Sequence, residues 1–522
     1  MSVATFSEVG KTDASQLAQS SSQGETQSLT ELAQDLERFA IEAARLGRSM
    51  DDMERHALDR MLKMAETAIN LFIHNQGNGD LGETVQTENG TTLYRSSEPQ
   101  TAHVRTIFAK HEFSEYVYST GNHQPIQLRP LQARMALPAT IDSYLFEEFS
   151  QFFCVEQAFG RSRQGLKMVF KQDVCEDQLQ AINHRLGDQA EAFLDDLPKP
   201  PADQEGQIMV LTADGKGVPL IRADAAKIPV TGDAPQRPGN RRMATLAGVY
   251  TVDPFVRTPE EVLASLFRDK RDEDRARKRP KPMYKEIVSR FPREYDNGDG
   301  TKISVNGAQE AFNWAGQRIS DRRSQGQVIV RLLDGQESLR TTSDACLESY
   351  GEQVNVDILD IIHVAGYVKL AGKSFHSHSE HREAFCRDQL EKILKGEVKS
   401  VIHSLRIKSS LHKLKGQKLK DVMKCCRYFE NNADRMDYGS YLSKGYPIAT
   451  GVIEGACRYL VKDRMERTGM RWHLENAESM LSVRSVYQSD HTETFHKSRM
   501  STEQASLHPH KSLVDTYEPL PA

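Results

Sequence analysis

The chain reads as an α/β domain that carries a long helical insertion and is preceded by a mostly helical N-terminal region. Three patterns lead to that reading. Short apolar, β-branched runs alternate with helical stretches between Gln207 and Asp360, apolar residues recur at helical spacing through most of 29–200, and 376–444 is helical and basic. At 522 residues, 38% hydrophobic and 27% charged, the chain is long enough for two to four domains.

Taken in order, the Ser/Gln-rich lead "SQLAQSSSQGETQS" has no apolar periodicity, so 1–28 is expected to be a disordered tail. Order begins near Leu29. "LTELAQDLERFAIEAARLG" and "MLKMAETAINLFIHNQG" are amphipathic helices, and "HVRTIFAKHEFSEYVYSTG" is a hairpin, rich in β-branched and aromatic residues and ending in turn chemistry. The block from Ala139 to Leu197 is helical again, with Gly160 and Gly165 as breaks. Those breaks allow a DNA-reading helix-turn-helix, which would make 29–200 a DNA-binding region; most such patterns are ordinary helical hairpins.

After the Pro-rich linker "LPKPPADQEG" the α/β region spans 205–375. Its strands are "QIMVLTAD", ending in Asp214, "MATLAGVYTV", "QVIVRLLD", ending in Asp334, and "VNVDILD", ending in Asp360. "TPEEVLASLF" opens a helix with Thr258 as N-cap and Glu261 at the capping-box position, and "DACLESYG" is helical. The basic helical insertion follows at 376–444, then a C-terminal helix region at 445–488, and 489–522 is expected to be a second disordered tail.

A net charge of −5 excludes a polycation, so any nucleic-acid contact must come from local basic surfaces. No window approaches the roughly 18 apolar residues of a membrane span, and "MSVATFSEVGKTDASQ" lacks the order of a signal peptide. The seven cysteines show no zinc spacing and read as reduced, buried small residues, which places the protein in the cytosol.

Three strands that each end in an aspartate converge on one edge of an open α/β sheet. Each aspartate alone is commonly a turn or N-cap residue, but together they would repel unless a divalent cation neutralised them, and oxygen ligands point to Mg²⁺ or Mn²⁺. Glu454 stands in "GYPIATGVIEGACRYL", an otherwise small or apolar run in which Pro447 and Thr450 mark a helix start. It is either a further metal ligand or the partner of Arg458 in a solvated i,i+4 pair. Gly451 and Gly455 would let its helix approach another backbone, and Lys462 extends the basic row.

"GYPIATGVIEGACRYLVKDRMERTGMRW" resembles the C-terminal signature of ISKra-type insertion-sequence transposases, and "LTADGKGVP", "RLLDGQESL" and "DILDIIHV" are similar to that family's earlier motifs in the same order. The resemblance covers roughly Gln207 to Tyr487. It implies a DDE transposase with an RNase H-like catalytic core, needing two Mg²⁺ or Mn²⁺ ions, acting on the terminal inverted repeats of its own element and on target DNA as a homodimer or higher oligomer in the bacterial nucleoid. The catalytic and metal-binding residues would be Asp214, Asp334 and Glu454. Asp360 is the rival for the second position; with His363 it resembles a D-x-x-H element, and an N-cap reading fits it equally. Arg340 stands where the pattern has an aromatic residue. Candidate DNA contacts are Arg458, Lys462, Arg471 and Trp472, with Lys413, Lys415, Lys418 and Lys420 in the acid-poor insertion. Trp472 is either a base-stacking residue or core. The other functional classes are an RNase H-like nuclease or resolvase without strand transfer, and a catalytically dead DNA-binding regulator.

Overall fold

The computed structural model describes residues 28–228, 239–269, 279–467 and 469–518. The tail read at 1–28 lies outside them except for Ser28, as does half of the basic tract "RDKRDEDRARKRPKPMYK". The chain divides into two compact units, Met1–Ser143 with His508–Ala522, and Tyr144–Leu507.

In the first unit, helices α1 (Leu29–Arg45) and α2 (Met50–His74) start at the N-caps Ser28 and Ser49, the former with a reciprocal capping box to Glu31. Six short strands follow: β1 (Thr84–Gln86), β2 (Thr92–Arg95), β3 (Gln100–Arg105), β4 (Lys110–Glu115), β5 (Tyr118–Ser119) and β6 (Ile126–Leu128), then helix α3 (Pro130–Arg134). They form one sheet in the order β1-β2-β5-β6 and the separate hairpin β3-β4. The C-terminal residues Leu513, Val514 and Tyr517 pack into the small core around Leu93, Tyr118 and Leu128.

The second unit opens with α4 (Tyr144–Glu156), α5 (Phe159–Phe170) and α6 (Glu176–Asp195). Its sheet comes from β7 (Ile208–Pro219), helix α7 (Arg222–Ala225), β8 (Arg241–Val252), α8 (Pro259–Phe267), β9 (Met283–Arg290), the small ribbon β10 (Arg293–Asp296) and β11 (Lys302–Val305), α9 (Gly307–Arg322), β12 (Val328–Leu333), α10 (Glu337–Ser349) and β13 (Val356–Leu359). Helices α11 (Ile361–Phe375), α12 (Ser379–Leu394), α13 (Val398–Leu411), α14 (Gly416–Asn431), α15 (Tyr438–Ser443), α16 (Gly451–Ala456), α17 (Asp463–Met465), α18 (Leu474–Gln488) and α19 (Thr492–Leu507) complete it. The five-stranded mixed sheet has the order β13-β12-β7-β8-β9, with β12 and β13 parallel to β7 and with β8 and β9 antiparallel. β7 and β12 are buried over nearly all of their paired length, as a sheet covered on both faces requires.

Register is what places the aspartates. β12 pairs with β7 from Val328↔Ile208 to Leu332↔Thr212, and β13 pairs with β12 from Val330↔Val356 to Leu333↔Leu359. Continuing the count by two residues, and by one, sets Asp214, Asp334 and Asp360 in a single row across three adjacent strands, and in-register parallel neighbours present their side chains to one face. The strand-end expectation needs one amendment: β7 runs on to Pro219 paired with β8, so Asp214 is mid-strand and is uncovered on one side only because β12 has already turned away.

Four boundary expectations are corrected. The helices from Tyr144 to Asp195 belong to the second unit, not to an N-terminal region ending at 200, because α6 packs along α18 and Trp314 Nε1 donates to Leu194 O at 2.8 Å. Gly160 and Gly165 both lie inside α5, and the break falls at Gln157–Ala158 instead. The insertion shares one core with the sheet, in which Val330, Leu332, Val364, Val401, Val422 and Phe429 are continuous. Of the stretch 489–522 expected as a disordered tail, 519–522 lie outside the described residues and 489–518 are ordered: α19 buries Phe495, His496 and Arg499, and Arg499 Nη1 bonds Glu147 Oε2 at 2.8 Å. The apolar residues of α19, Phe495, Met500, Ala505 and Leu507, do not recur at the spacing of one helical face, so periodicity does not reveal a helix held by a buried ion pair.

Candidate functional site

Asp214, half-buried on β7, accepts from Gly215 N at 2.7 Å and from the Cys457 thiol at 3.3 Å. Burial, followed by the adjacent Asp214 carboxylate, pushes the Cys457 thiol well up, so it remains a protonated donor. Asp334, the first residue after β12, closes a turn by accepting from Gln336 N at 2.9 Å and keeps its side chain 27% exposed.

Glu454 sits one turn into α16, which packs against β7 and β8. The Glu454–Arg458 pair that the spacing allows is not formed: Arg458 lies 3.8 Å from Asp463, whereas the ring nitrogen within reach of Glu454 Oε1 is His363 Nε2, at 3.9 Å. His363 Nδ1 is 4.0 Å from Asp334 Oδ2, so one ring stands between the two carboxylates. Burial raises the Glu454 pKa above its usual 4.5, and the charges of Asp360 and Asp214 add to that, with His363 opposing. Among the described residues, no lysine or arginine forms a salt bridge with Asp214, Asp334 or Glu454.

Asp360 has a different setting. It is wholly buried and caps α11 through Ile362 N at 3.0 Å, while its carboxylate also accepts from Thr450 N at 3.2 Å and Thr450 Oγ1 at 2.6 Å. Thr450 immediately precedes α16, so Asp360 ties the start of the Glu454 helix to the start of the His363 helix. Asp360, His363 and Glu454 each offer a ligand atom within 4.8 Å of the others.

The glycines of this segment act elsewhere than expected. A Cβ on Gly451 would meet nothing within 4 Å and one on Gly455 only the Tyr459 ring just beyond its helix. Gly445 is the constrained one: its φ is +76° and a Cβ there would stand 2.5 Å from Phe255 N.

Trp472 is core, not a stacking platform. It is 4% exposed, its Nε1 donates to Met465 O at 3.2 Å, and its ring lies under the Arg464 guanidinium at 4.7 Å and edge-on to Phe159. Arg458, Lys462 and Arg471 are exposed, as are Lys413, Lys415, Lys418 and Lys420 around the start of α14. Arg340 is held by Asp357 at 3.1 Å and Asp434 at 3.2 Å, which gives this position an ionic role in place of an aromatic one.

Sequence reading gave Thr450 only as a helix start and Cys457 only as a buried thiol, and passed over Lys424, Tyr367 and Tyr428. The two tyrosine rings stack at 3.9 Å and, with Lys424, Asp334 and His363, line a groove of about 600 Å³. The i,i+4,i+8 spacing of Lys420, Lys424 and Tyr428 along α14 was the available signal.

No protein-family model matches the chain, and no curated protein matches it. Among solved structures it is similar to the Drosophila P element transposase strand transfer complex, at 10% identity over 70% of this chain and 82% of that chain, with a TM-score of 0.21.

Proposed function

We propose that the chain is a DDE-type transposase that binds the terminal inverted repeats of an insertion sequence and performs metal-dependent DNA strand cleavage and strand transfer from an RNase H-like core. The observation that carries this reading is the row of aspartates beside Glu454. The RNase H-like order implied by the ISKra-type resemblance puts the second carboxylate after the fourth strand, and β12 is the fourth sheet strand in chain order after β7, β8 and β9. That favours Asp334, while Asp360, with both oxygens held by donors of Thr450 and Ile362, acts as a positioning residue.

Asp214, Asp334 and Glu454 are the residues that would hold two Mg²⁺ or Mn²⁺ ions. The fit rests on donor chemistry: carboxylate oxygens, unmatched by lysine or arginine among the described residues, with the Glu454 anion already disfavoured by burial and then by the charges of Asp360 and Asp214. When bound, such ions favour attack on phosphorus and departure of the leaving oxygen. Water then hydrolyses a phosphodiester at the element's end, and the freed 3′-OH displaces an oxygen of a target phosphodiester, one P–O bond forming as another breaks. Cys457 holds Asp214, Asp360 and Thr450 hold the Glu454 helix, and the lysines at the start of α14 with Arg458, Lys462 and Arg471 offer phosphate contacts. Bringing two ends together requires at least two copies.

Glu454→Gln should abolish Mg²⁺-dependent end cleavage while end binding stays within about twofold, since phosphate contacts elsewhere carry affinity. Retained cleavage would overturn the assignment. Joined products carrying the element's ends separate a transposase from a nuclease or resolvase, and any metal-dependent cutting excludes a pure DNA-binding regulator.

A further inference from the structure

The α1–α2 hairpin buries only Leu32, Ala43, Thr67 and Ile73, whereas Ile41, Leu46, Met50, Leu58, Met61, Leu71 and Phe72 are between 39% and 72% exposed. Two sides of α2 are taken. α1 covers one, with Arg60 over the Phe39 ring at 4.1 Å and bonded to Asp35 at 2.9 Å. The β3–β4 hairpin covers the second, through Ile69, Ile73 and an Asn70–His111 bond of 2.6 Å.

The third side is open. Leu58, Met61, Ala65, Ala68 and Phe72 follow one another at alternating spacings of three and four, the seam pattern of packed helices, and Ala57, Met64 and Leu71 run alongside. That second row makes the face as wide as that of a bundle helix, broader than a two-stranded seam. One hairpin supplies two helices; two copies supply the four of a bundle. At roughly 200 Å² for each large apolar side chain, Met50, Leu58, Met61, Leu71 and Phe72 of α2 leave about 540 Å² in water, about two thirds of the roughly 800 Å² per partner of a stable interface before the alanines beside them are counted. Nucleic acid does not suit this face, because the stripe holds no charge and 29–74 carries nine acidic against six Lys and Arg residues.

We propose that this face of α2 joins two copies of the chain, their hairpins closing into a four-helix bundle about a two-fold axis. This stands independently of the catalytic reading. The test is sedimentation equilibrium of the full chain at micromolar concentration. The wild type should show the mass of two chains. Met61→Glu with Ala68→Glu, both exposed positions, should weaken association by about a hundredfold or more, with an unchanged far-UV circular dichroism spectrum. Lys63→Glu, on the solvent side, should leave it unchanged. The milder Met61→Ala with Phe72→Ala should weaken it by about tenfold or more, which covers the case in which the glutamates disturb folding. A wild type that is monomeric, or folded variants that associate as tightly as the wild type, would overturn the proposal.

Discussion

Thr450→Val separates the two aspartates that compete for the second catalytic position. Valine nearly matches threonine in shape, so no cavity opens; what is lost is the 2.6 Å hydrogen bond from Oγ1 to a carboxylate with no solvent exposure. A charge-assisted bond of that kind contributes about 1.5–3 kcal/mol, and because Asp360 keeps its bonds to Thr450 N and Ile362 N, the expected loss is about 2 kcal/mol. Urea denaturation should show it as a lower midpoint at unchanged slope for the second unit's transition. Cleavage should also fall, by up to about a hundredfold, because α16 loses the tether that places Glu454. Asp334→Asn should behave oppositely. Its side chain is 27% exposed and the Gln336 N contact survives in asparagine, so stability should hold within about 0.5 kcal/mol while cleavage is lost. If Asp334→Asn cleaved at the wild-type rate, or Thr450→Val left the midpoint unmoved, the division into ligand and positioning residue would be wrong.

Two further outcomes follow from burial. The folded-state pKa of Glu454 is raised above 4.5, chiefly by burial and then by Asp360 and Asp214, so its ionisation opposes folding at neutral pH. Glu454→Gln should therefore melt above the wild type at pH 7; the gap should narrow as pH falls through the raised value and vanish below 4.5, and a gap that widens on acidification would refute the assigned shift. Trp472→Ala should cost about 3–5 kcal/mol by emptying the space between Arg464 and Phe159, seen as a lower thermal midpoint, with DNA affinity of the folded protein unchanged. A fully stable variant with weakened DNA binding would restore Trp472 as a nucleic-acid contact.

Much of the second unit was legible because its signals are local. Met209 and Val249 lie in apolar runs, Ile329 lies in one broken only by Arg331, and Thr258 with Glu261 forms the capping box that their spacing foretold. β9 and α9 were not foreseen, since Glu286, Arg318 and Arg322 put buried charges where periodicity expects apolar residues, and the pairing that makes them tolerable is tertiary. The N-cap role of Asp360 was open to sequence reading, but the same reason hid its tie to Thr450. As a strand-end aspartate it looks like Asp334, and only the approach of Thr450, distant in sequence, distinguishes a satisfied buried anion from an available ligand. The helical character of α14 was expected, but not the stacking of its Tyr428 on Tyr367 of α11.

The chain by itself determined which residues carry charge into apolar surroundings: Asp214, Asp334, Asp360 and Glu454 are conspicuous because burying a carboxylate is costly wherever it falls. It also determined the equal offset of 120 between Asp214 and Asp334, which the β7–β12 register turns into adjacency. Tertiary structure alone decided which of those charges are satisfied by protein donors and which remain open, because hydrogen-bond partners ninety or more residues away in the chain become neighbours only once the sheet and α16 have packed.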